Sequence, residues 1–243
     1  MARFFVSPAA ISGETAVLEG EQAAHAKVLR LSAGEAVTLC DGEGTDYLCE
    51  IDSTSAKTVT LHIIDRQPSH SEPALQCSIY MGFPKADKFE HVVQKATELG
   101  AAEIIVFPCT RSISRPDAKS LGKKLERWQK IAESAAEQSG RGRIPRVLAL
   151  TSFSEAVNRA AQAEFSALFY ENERTLSMRT ALNFPCASAA LMTGPEGGLT
   201  EQEVLQAQEA GMQICSLGPR ILRCETAPLC ALSALMFAAG EMD

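Results

Sequence analysis

The sequence predicts an α/β protein in two parts: a small β-rich module, then a larger parallel sheet with helices on both faces. Three observations carry this. Residues 1–66 hold short alternating or apolar runs divided by Asp-Gly and Gly-Thr turns, the pattern of short strands. "RQPSHSEP" (66–73) has two prolines and no large apolar residue, and reads as a linker. From residue 74 short, wholly apolar runs alternate with amphipathic helical segments, as in a parallel sheet buried on both sides.

In the first module "RFFV" (3–6), "AVTLCD" (36–41), "YLCEID" (47–52) and "TVTLHIID" (58–65) read as strands. "EQAAHAKVLRL" (21–31) reads as a helix, with Ala24, Val28 and Leu31 at helical spacing.

In the second module "LQCSIYM" (75–81) is a strand and "DKFEHVVQKATELG" (87–100) a helix. Asp87 and Glu90 have capping-box spacing, Phe89, Val92, Val93, Ala96 and Leu99 share a face, and Gly100 can end the helix. "EIIVF" (103–107) is a strand. Residues 119–140 form a long helix whose buried face carries Leu121, Leu125, Trp128, Ala132 and Ala135. Strands at 147–150, 166–170, 189–193 and 212–217 follow, with helical segments between. The last helix is "TAPLCALSALMFAAG", with Pro228 tolerated in its first turn.

Composition narrows the function. With 46% hydrophobic and 22% charged residues over 243 positions, a core forms without staples. No membrane-length apolar run and no export signal are read, so a cytoplasmic, membrane-free protein is expected. The eight cysteines include no Cys-x-x-Cys, and the four histidines make no ligand-spaced cluster, so no metal is expected. Net charge is −7, but residues 73–150 carry 13 basic and 8 acidic side chains. That basic middle fits either an RNA footprint or a solvated helix face.

Three loops follow strands of the last third, where parallel sheets bind ligands: "YENERT" (170–175), "TGPEGGLT" (193–200) and "LGPRILRCET" (217–226). The second lacks both the dinucleotide and the phosphate-loop fingerprints. Its carboxylate, Glu196, suits a cationic or hydroxyl-bearing ligand better than a polyphosphate. Thr200 and Glu203 form a capping box for the next helix. The third loop sets Arg220 and Arg223 among apolar residues, ahead of Glu225, which fits a ligand site or a structural Arg–Glu pair.

"GPEGGLT" with "LGPRILRCETAPLCALSAL" downstream closely resembles the bacterial 16S ribosomal RNA uridine-N3 methyltransferase family, RsmE, of the SPOUT class. "HAKVLRL", "KFEHVVQKATELG" and "WQKIAESAAEQSGR" extend the resemblance over nearly the whole chain. It implies a PUA-like RNA-binding β-barrel over 1–70. It implies a SPOUT methyltransferase domain over 74–243, with a deep C-terminal trefoil knot, and a homodimer. The cofactor would be S-adenosyl-L-methionine, held by the three loops through Tyr170, Glu171, Thr193, Gly194, Glu196, Gly198, Leu217, Gly218, Leu222 and Cys224. Family members usually have Thr where this chain has Cys224, a weaker hydrogen-bonding group.

The implied reaction methylates N3 of a specific uridine in 16S rRNA of the small ribosomal subunit. The base must be unpaired or extruded, lose its N3 proton, and have the resulting charge stabilised. Arg223 or Arg220 is the expected stabiliser, and Glu225, Glu196 or a water the expected proton acceptor. RNA contacts are expected from Arg3, Arg30, Lys85, Lys88, Arg111, Arg115, Arg141 and Arg143, several of them in "TRSISR" (110–115) and "SGRGR" (139–143). The alternatives are a non-catalytic RNA-binding assembly protein with the same fold, and an NAD enzyme, which the missing fingerprint disfavours.

Overall fold

A computed structural model describes residues 1–114, 116–182 and 185–242, in two compact units. The first comprises Met1–Glu72 and Ala136–Ile144. It contains β1 (Ala2–Phe5), β2 (Ile11–Ser12), β3 (Thr15–Glu19), α1 (Gly20–Val28), β4 (Ala36–Cys40), β5 (Thr45–Thr54) and β6 (Thr58–Pro68). The sheet order is β1-β4-β5-β6-β3-β2, with β1 parallel to β4 and every other pair antiparallel. Alternation along β6 turns Val59, Leu61 and Ile63 inward onto Phe4, Leu18 and Leu39.

Three expectations change here. The β2–β3 pair was not read from the sequence. In α1 the buried residues are Ala23 and Ala26, while Ala24 is exposed and Val28 is 78% exposed. The helix is only nine residues long and ends at Val28, and Arg30 then takes a left-handed φ of 58° that reverses the chain. The linker is also shorter than read, because β6 runs to Pro68 and pairs it with Thr45.

Arg141 is 4% exposed and its Nη2 lies 2.7 Å from a Glu72 carboxylate oxygen. The same carboxylate accepts the N–H groups of Gly142 and Arg143 at 2.9 and 3.1 Å. Arg3 is bidentate to Asp46 at 2.7 and 2.6 Å. Both arginines were expected on RNA; both are instead spent inside this unit, where a charge withdrawn from water must be paired.

The second unit holds β7 (Gln76–Gly82), α2 (Lys88–Glu98), β8 (Glu103–Phe107), α3 (Ala118–Ser139), whose last turn belongs to the first unit, β9 (Arg146–Ala149), α4 (Phe153–Ala160), β10 (Phe165–Phe169), α5 (Met178–Ala181), β11 (Ser188–Thr193), α6 (Glu201–Glu209), β12 (Gln213–Cys215) and α7 (Thr226–Ala238). The sheet order is β12-β10-β11-β7-β8-β9, parallel throughout. Every residue of β10 is buried, as a strand covered on both faces requires. On α2, Phe89, Val92, Val93 and Ala96 are buried, and Phe89 meets Trp128 of α3 edge to face at 4.6 Å. Asp87 sits at the N-cap of α2 without a side-chain capping bond, and Glu90 pairs with Arg127 at 2.7 Å instead.

Candidate active site

The sheet order sets β12, β10 and β11 side by side, so the three loops read from the sequence leave neighbouring carboxyl ends. They line one cavity of about 420 Å³.

After β11, Gly198 has φ +68° and its N–H donates to Pro195 C=O at 2.9 Å, closing the turn. A Cβ there would meet the end of the exposed Glu171 side chain, which can swing aside, so it is the left-handed φ that calls for glycine. Arg111 braces the same loop, donating Nη1 to the carbonyls of Gly197 and Leu199, each at 3.2 Å. Thr200 and Glu203 form the expected capping box. Glu203 is buried, and its carboxylate also accepts the Thr110 N–H at 2.7 Å. Glu203→Ala therefore removes the partner of two backbone N–H groups, Thr110 and Thr200. The expected cost is about 2 kcal/mol, a melting temperature lower by about 6 °C in a thermal scan.

The β10 loop is fixed by Glu173, which accepts the Thr175 hydroxyl and N–H, both at 2.5 Å. Those bonds, the Thr175 hydroxyl first, pull its carboxyl down to about 2. Arg174 lines the cavity and donates Nη1 to the carbonyls of Glu171 and Glu173 at 2.7 and 3.0 Å. In the third loop the Ser216 hydroxyl accepts the Gly218 N–H at 3.1 Å.

Glu196 is not a free carboxylate. It accepts the Lys85 N–H at 3.0 Å and pairs with Lys88 Nζ at 3.1 Å. Lys88 Nζ also pairs with Glu225 at 3.1 Å and lies 3.6 Å from Cys224 Sγ. The Cys224 thiol donates to Glu225 at 3.2 Å, so it makes a bond of the kind a hydroxyl there would make. Burial first, and then the neighbouring Glu225, push that thiol up to about 12, which keeps it protonated. Partial burial raises the proton affinity of Glu196 and Glu225. Backbone N–H groups, Lys88 and, for Glu225, the Cys224 thiol outweigh it and hold both below the usual carboxylate range. The two carboxylates hold Lys88 above its usual value. A carboxylate lowered on folding stabilises above its ordinary value, near 4.5, and that contribution is lost as pH falls through the lowered folded value. A lysine raised on folding stabilises below its ordinary value, near 10.5, and loses it only above. The cluster is therefore expected to stay intact across neutral pH and to open on acidification below the ordinary carboxylate range, measured as a falling melting temperature that Lys88→Met makes shallower.

Of the expected cofactor residues, Tyr170, Glu171, Thr193, Gly194, Glu196 and Gly198 line the cavity. So do Leu217, Gly218, Leu222 and Cys224, together with Arg220 and Arg223. Glu225 is not among the lining residues; it contacts two that are, Lys88 and Cys224. Among the described residues neither Arg220 nor Arg223 has a side-chain partner, and both are exposed. Lys88, expected on RNA, belongs to this site. Arg174 and Ser216 were missed, although both lie within or beside the quoted loops. Of the other expected RNA contacts, Arg30, Lys85 and Arg143 are exposed, Arg111 is committed to the glycine loop, and Arg115 lies outside the described residues.

Among the described residues no helix is long and apolar enough to cross a membrane, and no three His, Cys, Asp or Glu side chains gather as a metal site. Residues 71–236 match the family model for an RNA methyltransferase domain, and residues 18–64 that for an RNA methyltransferase PUA domain. The chain is 40% identical over 227 residues to the ribosomal RNA small subunit methyltransferase E of Bacillus subtilis, covering 90% of this chain and 89% of the relative. Its counterpart from Synechocystis is 34% identical, covering 96% of this chain and 76% of the relative. A crystal structure of ribosomal RNA small subunit methyltransferase E from Neisseria gonorrhoeae bound to S-adenosyl methionine superposes with a TM-score of 0.88. It is 34% identical and covers 98% of each chain. The chain belongs to the ribosomal RNA small subunit methyltransferase E family.

Proposed function

We propose that this protein transfers a methyl group from S-adenosyl-L-methionine to N3 of a uridine in 16S rRNA of the small ribosomal subunit. The observation that carries it is the cavity where three neighbouring strand ends meet, with two arginines on its wall that have no side-chain partner among the described residues. The residues fit the cofactor. The glycine loop has no phosphate fingerprint, its carboxylate is already engaged by Lys88, and the walls offer main-chain groups beside apolar side chains. Gly194, Gly198, Leu217, Gly218 and Leu222 would meet the purine, with Tyr170, Glu171, Thr193 and Cys224 completing the wall. When bound, the cofactor supplies a methyl group on a sulfonium centre.

The chain's own residues do the rest. Arg223, assisted by Arg220, holds the negative charge on the oxygens of a uracil that has lost its N3 proton. Glu196 and Glu225 are tied to Lys88 and depressed in proton affinity, which weakens each as an acceptor; the N3 proton passes to Glu225, Glu196 or a bound water. Residues 1–70 would serve as the RNA-binding module and 74–243 as the methyltransferase, with the C-terminal stretch knotted. The exposed Arg30, Lys85 and Arg143 are the remaining RNA contacts.

The working form would be a cytoplasmic homodimer. α7 carries no charged residue, and Thr226, Cys230, Ala234 and Phe237 leave one side of it exposed, a surface suited to a second copy.

Two measurements test the reading. Titration calorimetry should show binding of S-adenosyl-L-methionine and none of NAD. Small-subunit rRNA from cells lacking the protein should lack one N3-methyluridine that its return restores. Absence of cofactor binding would leave an assembly scaffold, and unchanged rRNA would exclude the proposed reaction.

A further inference from the structure

We propose that Lys88 is a positioning residue for methyl transfer: its ammonium latches the glycine loop after β11 to the loop before α7 and sets the spacing of two walls of the cavity. This rests on the reading of the cavity as the cofactor site.

The two loops do not leave adjacent strands, because β10 lies between β11 and β12. Lys88 spans that gap from a third element, with Nζ 3.1 Å from Glu196 in one loop and 3.1 Å from Glu225 at the start of α7. Cys224 joins the latch through its 3.2 Å bond to Glu225. Lys85 gives Glu196 only its backbone N–H, so among the described residues Lys88 is the cation paired with these two carboxylates. Without it, two negative charges from two loops would face each other.

Its placement also argues for a role beyond helix stability. Lys88 is the first residue of α2, where a cation is disfavoured by the helix dipole. The next residue, Phe89, is 1% exposed, so the lysine projects from a backbone anchored in the core. The side chain is itself half-buried between the two acids rather than extended into solvent.

The test compares wild type with Lys88→Met and Lys88→Arg. Titration with S-adenosyl-L-methionine should show Lys88→Met weaker by about tenfold, with Lys88→Arg within about threefold of wild type. Turnover at saturating cofactor should fall less than about threefold, so the effect sits in KM rather than kcat. Hydrogen exchange without cofactor should rise in 194–199 and 217–225 together in Lys88→Met, and in neither loop in Lys88→Arg. Should Lys88→Met fold poorly, Glu225→Gln, which keeps the side-chain shape, should loosen the same two loops. Cofactor affinity and loop exchange both equal to wild type in Lys88→Met would overturn the proposal. So would a change confined to RNA affinity and its salt dependence, which would make Lys88 an RNA contact. If wild type itself fails to bind the cofactor, the functional reading falls, and loop exchange alone decides whether Lys88 latches the loops.

Discussion

Gly82→Ala is expected to weaken cofactor binding by about 10–100-fold and to lower the melting temperature by about 4–8 °C. Gly82 ends β7 and is buried. A Cβ there would stand 2.6 Å from Pro195 Cδ, 2.7 Å from Cys109 Sγ and 2.8 Å from Pro195 N. The last contact decides the size of the effect, because a backbone nitrogen inside the glycine loop cannot rotate away as a side chain can. The strand or the loop must move, and overpacking of this kind costs about 1–3 kcal/mol. Since Pro195 and Gly194 line the cavity, the displacement falls on the binding wall. Gly198→Ala makes the useful contrast. Its new Cβ would meet the end of an exposed Glu171 side chain, which can swing aside, so the cost there is chiefly the left-handed φ. Calorimetry and thermal melting check both. A Gly82→Ala protein with wild-type affinity and melting would refute the coupling of β7 to the loop.

The second sheet was legible because parallel strands covered on both faces leave runs such as "EIIVF" with no polar residue after the first. The Thr200–Glu203 box was legible because both partners of a cap lie three residues apart. What the sequence hid lies between distant positions. Arg3 finds Asp46 across 43 residues and Arg141 finds Glu72 across 69, so neither leaves a local pattern, and both read as loose surface arginines. Lys88 looked like one more cation of the basic middle, since its partners lie beyond residue 190. Glu196 was read toward a ligand for the same reason: the ammonium that neutralises it belongs to another element. In α1 the misreading was geometric. Nine residues give about two and a half turns, so Ala24 and Val28 fitted the helical period as well as Ala23 and Ala26 did, and only the approach of the sheet chose between them.

Arg223→Ala is expected to reduce the rate of methyl transfer by about 10²–10³, the scale of removing one donor that stabilises developing negative charge. Cofactor affinity should stay within about threefold of wild type. Two cavity arginines compete for the role, and the backbone separates them. The Arg223 carbonyl accepts the N–H groups of Thr226 and Ala227, both at 2.9 Å, so its Cα is tied to the first turn of α7. Arg220 follows Pro219 and precedes Ile221, which is 81% exposed, and it stands on open loop. A preorganised charge is worth more than one that must be ordered during the reaction, so Arg220→Ala should cost less than Arg223→Ala. The pH profile separates charge stabilisation from simple RNA docking. A uracil that needs help to lose its N3 proton needs less of it as pH rises, so the Arg223→Ala deficit should narrow toward alkaline pH in single-turnover assays on small-subunit rRNA. A deficit that is constant across pH and matched by weaker RNA binding would assign Arg223 to holding the RNA instead. A wild-type rate would remove it from the reaction.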